Sequence, residues 1–312
     1  MPLRKSNTDS ATPRDSLPRR LLRSRVGRAL GLLALLLVGS GLFWYNEHRT
    51  LTWGQTLNPM YWWRRLHGED LYDPNGAILL HGNRSLPEVA LTFDDGPHIQ
   101  SRGQILDTLK RYGVHATFFD VGRRMAENPD LLRRTLAEGH EVGNHSYHHL
   151  RLTSLSPQKR HREINDVDIT FYRITGQHLS LLRPPGMRYN QNVLATTQRL
   201  GYILVGCNTL SADFNFNETI DFIVNRTVNR TENGSIILLH DYPNTAVALP
   251  RIIEALRAEG YRFVTIHEMI EHLPERQRLA ANLFLQAHAA NIASAAAPQP
   301  APALRQVSRA AR

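Results

Sequence analysis

The chain has 312 residues and a formal charge of +9, room for one sizeable domain with extensions. Residues 1–28 carry eight Lys/Arg against two acids and residues 273–312 carry five Arg against one, which leaves 29–272 at −1. The basic excess belongs to the ends, which argues against a nucleic-acid groove, and the single cysteine, Cys207, excludes an intramolecular disulfide.

The N-terminal basic segment, 1–28, is expected on the cytoplasmic side. Ala29–Tyr45 follows as 17 uncharged, Leu-rich residues, near the short limit for a membrane span. Positive charge before such a span predicts an exported remainder. A transmembrane signal anchor over 29–46 is the favoured reading. The alternative is a signal peptide cleaved near Val38-Gly39-Ser40, giving a secreted protein. Arg19-Arg20 is followed by Leu21-Leu22-Arg23, a poor twin-arginine signal. All four tryptophans, Trp44, Trp53, Trp62 and Trp63, lie close to the span. The juxtamembrane or accessory segment 47–85 therefore either lies along the bilayer interface or packs on the domain as a hairpin.

Between 86 and 272 a rhythm recurs: a helical segment ends in Gly, and an apolar run of strand length follows. The glycines are Gly113, Gly139, Gly176, Gly201, Gly234 and Gly260, suited to the left-handed position that closes a helix. Asn128-Pro129 and Ser156-Pro157 read as helix starts, a capping side chain before proline in the first turn. Seven strands result, beginning with EVALTF at 88–93 and ending with RFVTI. Their runs are apolar throughout, as expected of strands covered on both faces. The predicted fold is α/β, a parallel sheet either closed as a (β/α) barrel or open and doubly wound. No dinucleotide or P-loop fingerprint is present. The remainder, 273–312, is Ala/Pro-rich with AAAPQPAPA at 295–303; it is read as largely disordered, with a short helix near 276–290.

The reactive side chains gather at strand ends, where a barrel places its chemistry. The first strand ends in Asp94-Asp95, the third in NHSYHH (144–149), the fourth in Arg183-Pro184-Pro185-Gly186, and the sixth in His240-Asp241; Asp213 follows the fifth. His145 and His149 are four apart, a spacing that in a helical turn brings both imidazoles to one cation. Alone, H-x-x-x-H is a common surface pattern. Beside a carboxylate it becomes a metal-site candidate with open coordination positions. A metal lowers the pKa of bound water towards ~7, so the second carboxylate can serve as base. His240 at the mouth is a natural proton donor, and Arg183, held by two prolines, can fix a carboxylate.

Taken together these segments resemble the NodB-homology polysaccharide deacetylases, carbohydrate esterase family four, over about 86–272. TFDDGP, HSYHH, RPPG, SADF and LLHD match five motifs in order. The resemblance implies a distorted (β/α) barrel and these roles: Asp94 as base, Asp95, His145 and His149 as ligands of a divalent metal, and His240 as acid. Zinc is the expected metal, with cobalt, manganese or nickel as alternatives. The resemblance further implies that Arg183 orients and tunes Asp94 and Asp213 supports the charge of His240. Leu238 would line the acetyl pocket. Two positions depart from the pattern: Gly186 replaces the aromatic whose N–H faces the oxyanion, and Phe214 replaces the usual Trp. The implied activity is N-deacetylation of an amino-sugar glycan of the envelope or exterior, such as peptidoglycan, poly-N-acetylglucosamine or chitin. An O-acetyl esterase, a glycolipid deformylase or deacylase, and a catalytically silent glycan-binding protein are the alternatives. The glycan and the membrane are the expected partners; no nucleic acid or protein partner is expected.

Overall fold

The computed structural model describes residues 78–275, 277–283 and 285–286. The expected basic segment, membrane span, most of the accessory segment and most of the tail lie outside these residues. Among the described residues no helix is long and apolar enough to cross a membrane.

The chain runs β1 (Ile78–Leu79), β2 (Glu88–Gly96), α1 (Arg102–Tyr112), β3 (Thr117–Asp120), α2 (Gly122–Glu127), α3 (Pro129–Ala137), β4 (Glu141–Asn144), α4 (Pro157–Thr175) and β5 (Leu181–Leu182). It continues α5 (Gln191–Arg199), β6 (Ile203–Val205), β7 (Thr209–Leu210), α6 (Ile220–Val228), β8 (Ser235–His240), α7 (Pro243–Ala258), β9 (Arg262–Phe263) and α8 (Ile266–Glu271). The strands form one sheet in the order β1-β6-β5-β4-β3-β2-β8-β7, with β9 also on β2. Every pairing is parallel.

The seven expected strands are present, and two are added. β1 and β7 are two residues each, as β5 and β9 are, but unlike those they lie outside the recurring helix–glycine–strand pattern. They matter at the seam of the sheet. Gly206 N donates to Leu79 O (2.7 Å), and Asn208 N donates to Ile236 O (3.3 Å). The stretch from β6 to β7 thus pairs with β1 and β5 at its start and with β8 at its end, carrying the sheet round. Because β1 belongs to this sheet, the sheet begins before residue 86.

The period-2 alternation of strands sorts the core. On β2, Val89, Leu91 and Phe93 pack with α1 and α7 residues such as Leu106 and Leu249. Ala90 points the other way, packing with Phe119 of β3 and Ile236 of β8. On β8, Ile237 and Leu239 join the helix-side cluster while Ile236 joins the inner one. Continued along each strand, this alternation assigns Thr92, Asp94, Leu238 and His240 to the inner face. Beyond 272, residues 277–283 are helical and Ala281 is buried in the inner cluster.

The helix signals hold in part. Gly113 adopts φ 58 and closes α1 through its N–H to Leu109 and Lys110 carbonyls. Ser156 caps α4. Asn128 does not cap α3; its amide instead donates to the carbonyls of Pro97 (3.4 Å) and Arg124 (3.3 Å). Its carboxamide has donors as well as an acceptor, and nearby carbonyls take the donors.

Candidate active site

Asp94 and His240 are register partners on adjacent strands. Both close an inner-face run, so their side chains converge over the rim of the sheet. Asp94 is 3% exposed. Arg183 Nη1 donates to its Oδ1 at 2.7 Å and to Thr92 Oγ1 at 2.8 Å. The guanidinium is buried and otherwise committed: Nε donates to Val205 O and Nη2 to Gly206 O, and its plane lies over the Phe119 ring, 4.2 Å from the centroid. A planar, multiply bonded arginine fixes direction as well as charge. One oxygen of Asp94 is thereby anchored and the other, Oδ2, lies 3.7 Å from His145 Nε2.

Asp95 leaves the alternation. Its φ is 71, a left-handed value uncommon for a residue with a side chain. The turn brings its carboxylate to the histidines rather than to the opposite face. Asp95 Oδ1 is 3.1 Å from His149 Nε2 and 3.5 Å from His145 Nε2. Neither approach has hydrogen-bond geometry, so this buried oxygen has no donor. Oδ2 accepts from the Tyr242 hydroxyl at 2.7 Å. Burial opposes the charged form of Asp95, but the two imidazoles and Tyr242 outweigh it and hold the carboxyl well below the usual carboxylate range.

The His145/His149 spacing works differently from the expectation. The segment is a loop, not a helical turn. Ser146 (φ 61) and His149 (φ 59) are both left-handed, and this folds the loop so that the imidazole centroids stand 5.0 Å apart. His145 Nδ1 lies 2.7 Å from Arg183 O. Donation there leaves the Nε2 lone pair facing Asp95, the arrangement of a metal-ligating histidine supported from behind.

Asp95, His145 and His149 each offer one ligand atom, all within 4.8 Å of one another. The donor set, two imidazoles and one carboxylate with an unpartnered buried oxygen, fits a divalent cation of the zinc class.

His240 is positioned from the other side. Its Nδ1 lies 2.7 Å from Asp213 Oδ1, and its backbone N–H donates to Oδ2. Thr245 Oγ1 donates to Oδ2 as well. Burial lowers the imidazole pKa, Asp213 raises it, and the net direction is up. Asp213 is itself buried; burial raises its pKa, but the His240 ring, its backbone N–H and the Thr245 hydroxyl together outweigh this and the net direction is down.

The remaining predicted positions differ in exposure. Leu238 is 6% exposed on the inner face. Gly186 sits in a one-turn 3-10 helix with φ 63 and an exposed backbone. Phe214 is 54% exposed and presents an edge to His240, centroids 5.8 Å apart.

Sequence reasoning passed over several contributors. Tyr242 joins both halves of the site, bonding Asp95 and stacking on His240 with ring centroids 5.2 Å apart and planes 6° from parallel. Thr92 shares Nη1 of Arg183 with Asp94. Arg124 donates from Nη1 to the Asp95 carbonyl. Two of the three had a signal: Thr92 is two residues before Asp94 and Tyr242 two after His240.

The polysaccharide deacetylase profile matches residues 81–205. A peptidoglycan-N-acetylglucosamine deacetylase of Bacillus cereus is 36% identical over 206 residues, 64% of this chain and 96% of the relative. PdaC, a peptidoglycan-N-acetylmuramic acid deacetylase of Bacillus subtilis, is 37% identical over 210 residues, 67% of this chain but 42% of the relative. Among solved structures, the Bc1960 peptidoglycan N-acetylglucosamine deacetylase superposes with a TM-score of 0.60 at 31% identity, covering 62% of this chain and 92% of that one. With a relative matched over nearly its whole length, the chain belongs to the polysaccharide deacetylase family and is a hydrolase of that class.

Proposed function

We propose that the protein removes acetyl groups from the amino sugars of peptidoglycan. The division of the two adjacent carboxylates carries the reading: Asp95 turned to the histidine pair, Asp94 held by Arg183 beside it. Asp95, His145 and His149 would hold a divalent cation, which would supply acidification of water and polarisation of a carbonyl. Arg183 holds Asp94 so that its second oxygen can take a proton from the attacking water. The N–H of Gly186 is a candidate donor to the oxygen of the tetrahedral intermediate. His240, kept charged by Asp213, gives a proton to the nitrogen as the C–N bond breaks. Acetate and a free amine result. Leu238 forms the wall for the acetyl methyl and Phe214 a flank of the sugar site.

The support for peptidoglycan is the kind of protein the relatives are, together with the span expected at 29–46, which would place the domain outside the membrane and tether it there. Protease digestion of intact cells tests the placement: a catalytic domain protected until lysis would refute it. Acetate release from peptidoglycan and N-acetylglucosamine oligomers by the metal-loaded protein tests the chemistry. Asp94→Asn and His240→Ala should each lose about 10²–10⁴-fold in kcat. Wild-type rates in either variant would rule out the assigned base or acid.

A further inference from the structure

A cavity of about 240 Å³ adjoins the candidate metal site, lined by Asp95, Val121, Arg123, Arg124, His148 and His149. It lies toward β3, whereas His240 stands on β8, the other neighbour of β2. The lining is cationic. Arg124 has no carboxylate within ion-pair distance among the described residues, and its one recorded bond is to the backbone carbonyl of Asp95. Among the described residues Arg123 pairs only with Glu127, at 3.7 Å and with both side chains more than half exposed, a contact worth little. His148 is fixed by Glu163, which accepts from both its backbone N–H and its ring. The one acid in the lining, Asp95, is a candidate metal ligand, and a bound cation reverses the local sign of charge. Two guanidiniums beside the reacting centre, one with no ion-pair partner among the described residues and the other with only a solvent-exposed one, are suited to an anion.

We propose that this cavity receives a carboxylate of the substrate. This rests on the amino-sugar reading above. The group lies beside the scissile amide: a substituent on the sugar carbon next to the acetamido carbon is held a few bonds away, within reach of a cavity that shares Asp95 and His149 with the metal site. Peptidoglycan offers that chemistry from two sources, the lactyl carboxylate of a peptide-free muramic acid unit or the carboxylates of a peptide attached through it. Neutral N-acetylglucosamine oligomers offer neither.

Calorimetric titration of the metal-loaded protein with three probes tests the assignment: di-N-acetylchitobiose, the N-acetylglucosaminyl-N-acetylmuramic acid disaccharide, and the same disaccharide carrying its peptide. The expected result is tighter binding of at least one anionic probe than of chitobiose. Arg123→Gln should weaken that probe about tenfold or more, the loss of one charge-assisted hydrogen bond, while chitobiose shifts by less than about twofold; Arg124→Gln should weaken the anionic probe by at least as much. The preference should also weaken with added salt. The two anionic probes identify which carboxylate is read. Arg124 touches the Asp95 backbone, so zinc affinity of each variant is measured alongside; Arg123→Gln leaves that contact alone. Equal affinity of all three probes in the wild type, or a loss shared equally with chitobiose, overturns the proposal. Acetate release from N-acetylglucosamine oligomers is scored separately: its absence would count against the deacetylase reading, and its presence with no effect of the arginines on binding would sink only the carboxylate site.

Discussion

At Asp213 both carboxylate oxygens hold His240: Oδ1 meets its Nδ1, and Oδ2 takes its backbone N–H and the Thr245 hydroxyl. Burial lowers the His240 pKa; Asp213, with smaller contributions from Asp94 and Asp95, raises it, and the net shift is upward. A proton donor must be protonated, so activity is present below the raised pKa and lost as pH rises through it. Asp213→Asn removes the charge that raises it. The alkaline limb of the kcat profile should then move to lower pH, by about 1–3 units, the range for an opposite charge at contact distance. A limb that stays in place would show that His240 is not the donor. Tyr242 is the other residue with a double contact. Tyr242→Phe keeps the stack on His240 but removes the donor to Asp95 Oδ2. Loss of such an outer partner commonly weakens metal binding by about 10–100-fold. Titration with zinc against a competing chelator should find a loss in that range, and an unchanged affinity would mean the hydroxyl does not orient Asp95.

At the scale of elements, what the sequence disclosed follows from what local pattern can encode. β2 and β8 were legible because their runs are long and buried on both faces, and their terminal residues stand where a parallel sheet puts chemistry. β1 and β7 were not legible: they fall outside the helix–glycine–strand rhythm that disclosed the equally short β5 and β9, and their pairing is decided by the distant strands β6 and β8. The histidine pair was found by type and spacing, yet its geometry comes from left-handed Ser146 and His149, which spacing cannot report. Asn128 was misread as a cap because a capping residue type does not fix which partner its amide finds. Gly96 shows the same limit in the other direction. It reads as turn chemistry in DDGP, but its place is set by crowding. A Cβ there would lie 1.9 Å from Arg102 Nη2, 2.5 Å from Asp241 Oδ2 and 2.7 Å from Asp120 Oδ1. These atoms belong to a buried network that cannot swing aside. Gly96→Ala should therefore cost about 1–3 kcal/mol or more in urea unfolding and also displace neighbouring Asp95, reducing metal affinity. A variant with both quantities at wild-type values would show that the network yields.

For the molecule as a whole, the strand ends that carry the site stand on a charge cluster with no exposure at all. Arg102, at the start of α1, pairs with Asp120 at the end of β3 and with Asp241 immediately after β8, and all three side chains are 0% exposed. Thr135 of α3 accepts a further bond from the guanidinium, and Ser101 donates to Asp241. The cluster ties the end of β3 to the end of β8 across the intervening β2, so it bears on how far apart the metal side and the proton-donor side are held. Such a cluster adds little net stability over an apolar replacement, because desolvation offsets the attraction, but removing one member is severe. Arg102→Met leaves two buried carboxylates facing each other. Burial already raises the Asp120 pKa, with Arg102 working against it; without the arginine the shift grows. A folded pKa above the unfolded one means that the folded state binds the extra proton, so stability falls as pH rises between the two. The variant should unfold about 3–5 kcal/mol more easily than wild type at pH 8, with a smaller gap at pH 5, where the carboxylates can take up protons. Adding Asp120→Asn should recover part of the loss at pH 8 and less at pH 5. Urea unfolding of the three proteins at both pH values decides it: a gap that does not change with pH would mean that lost packing of the arginine stem, rather than uncompensated charge, is what the strand ends depend on.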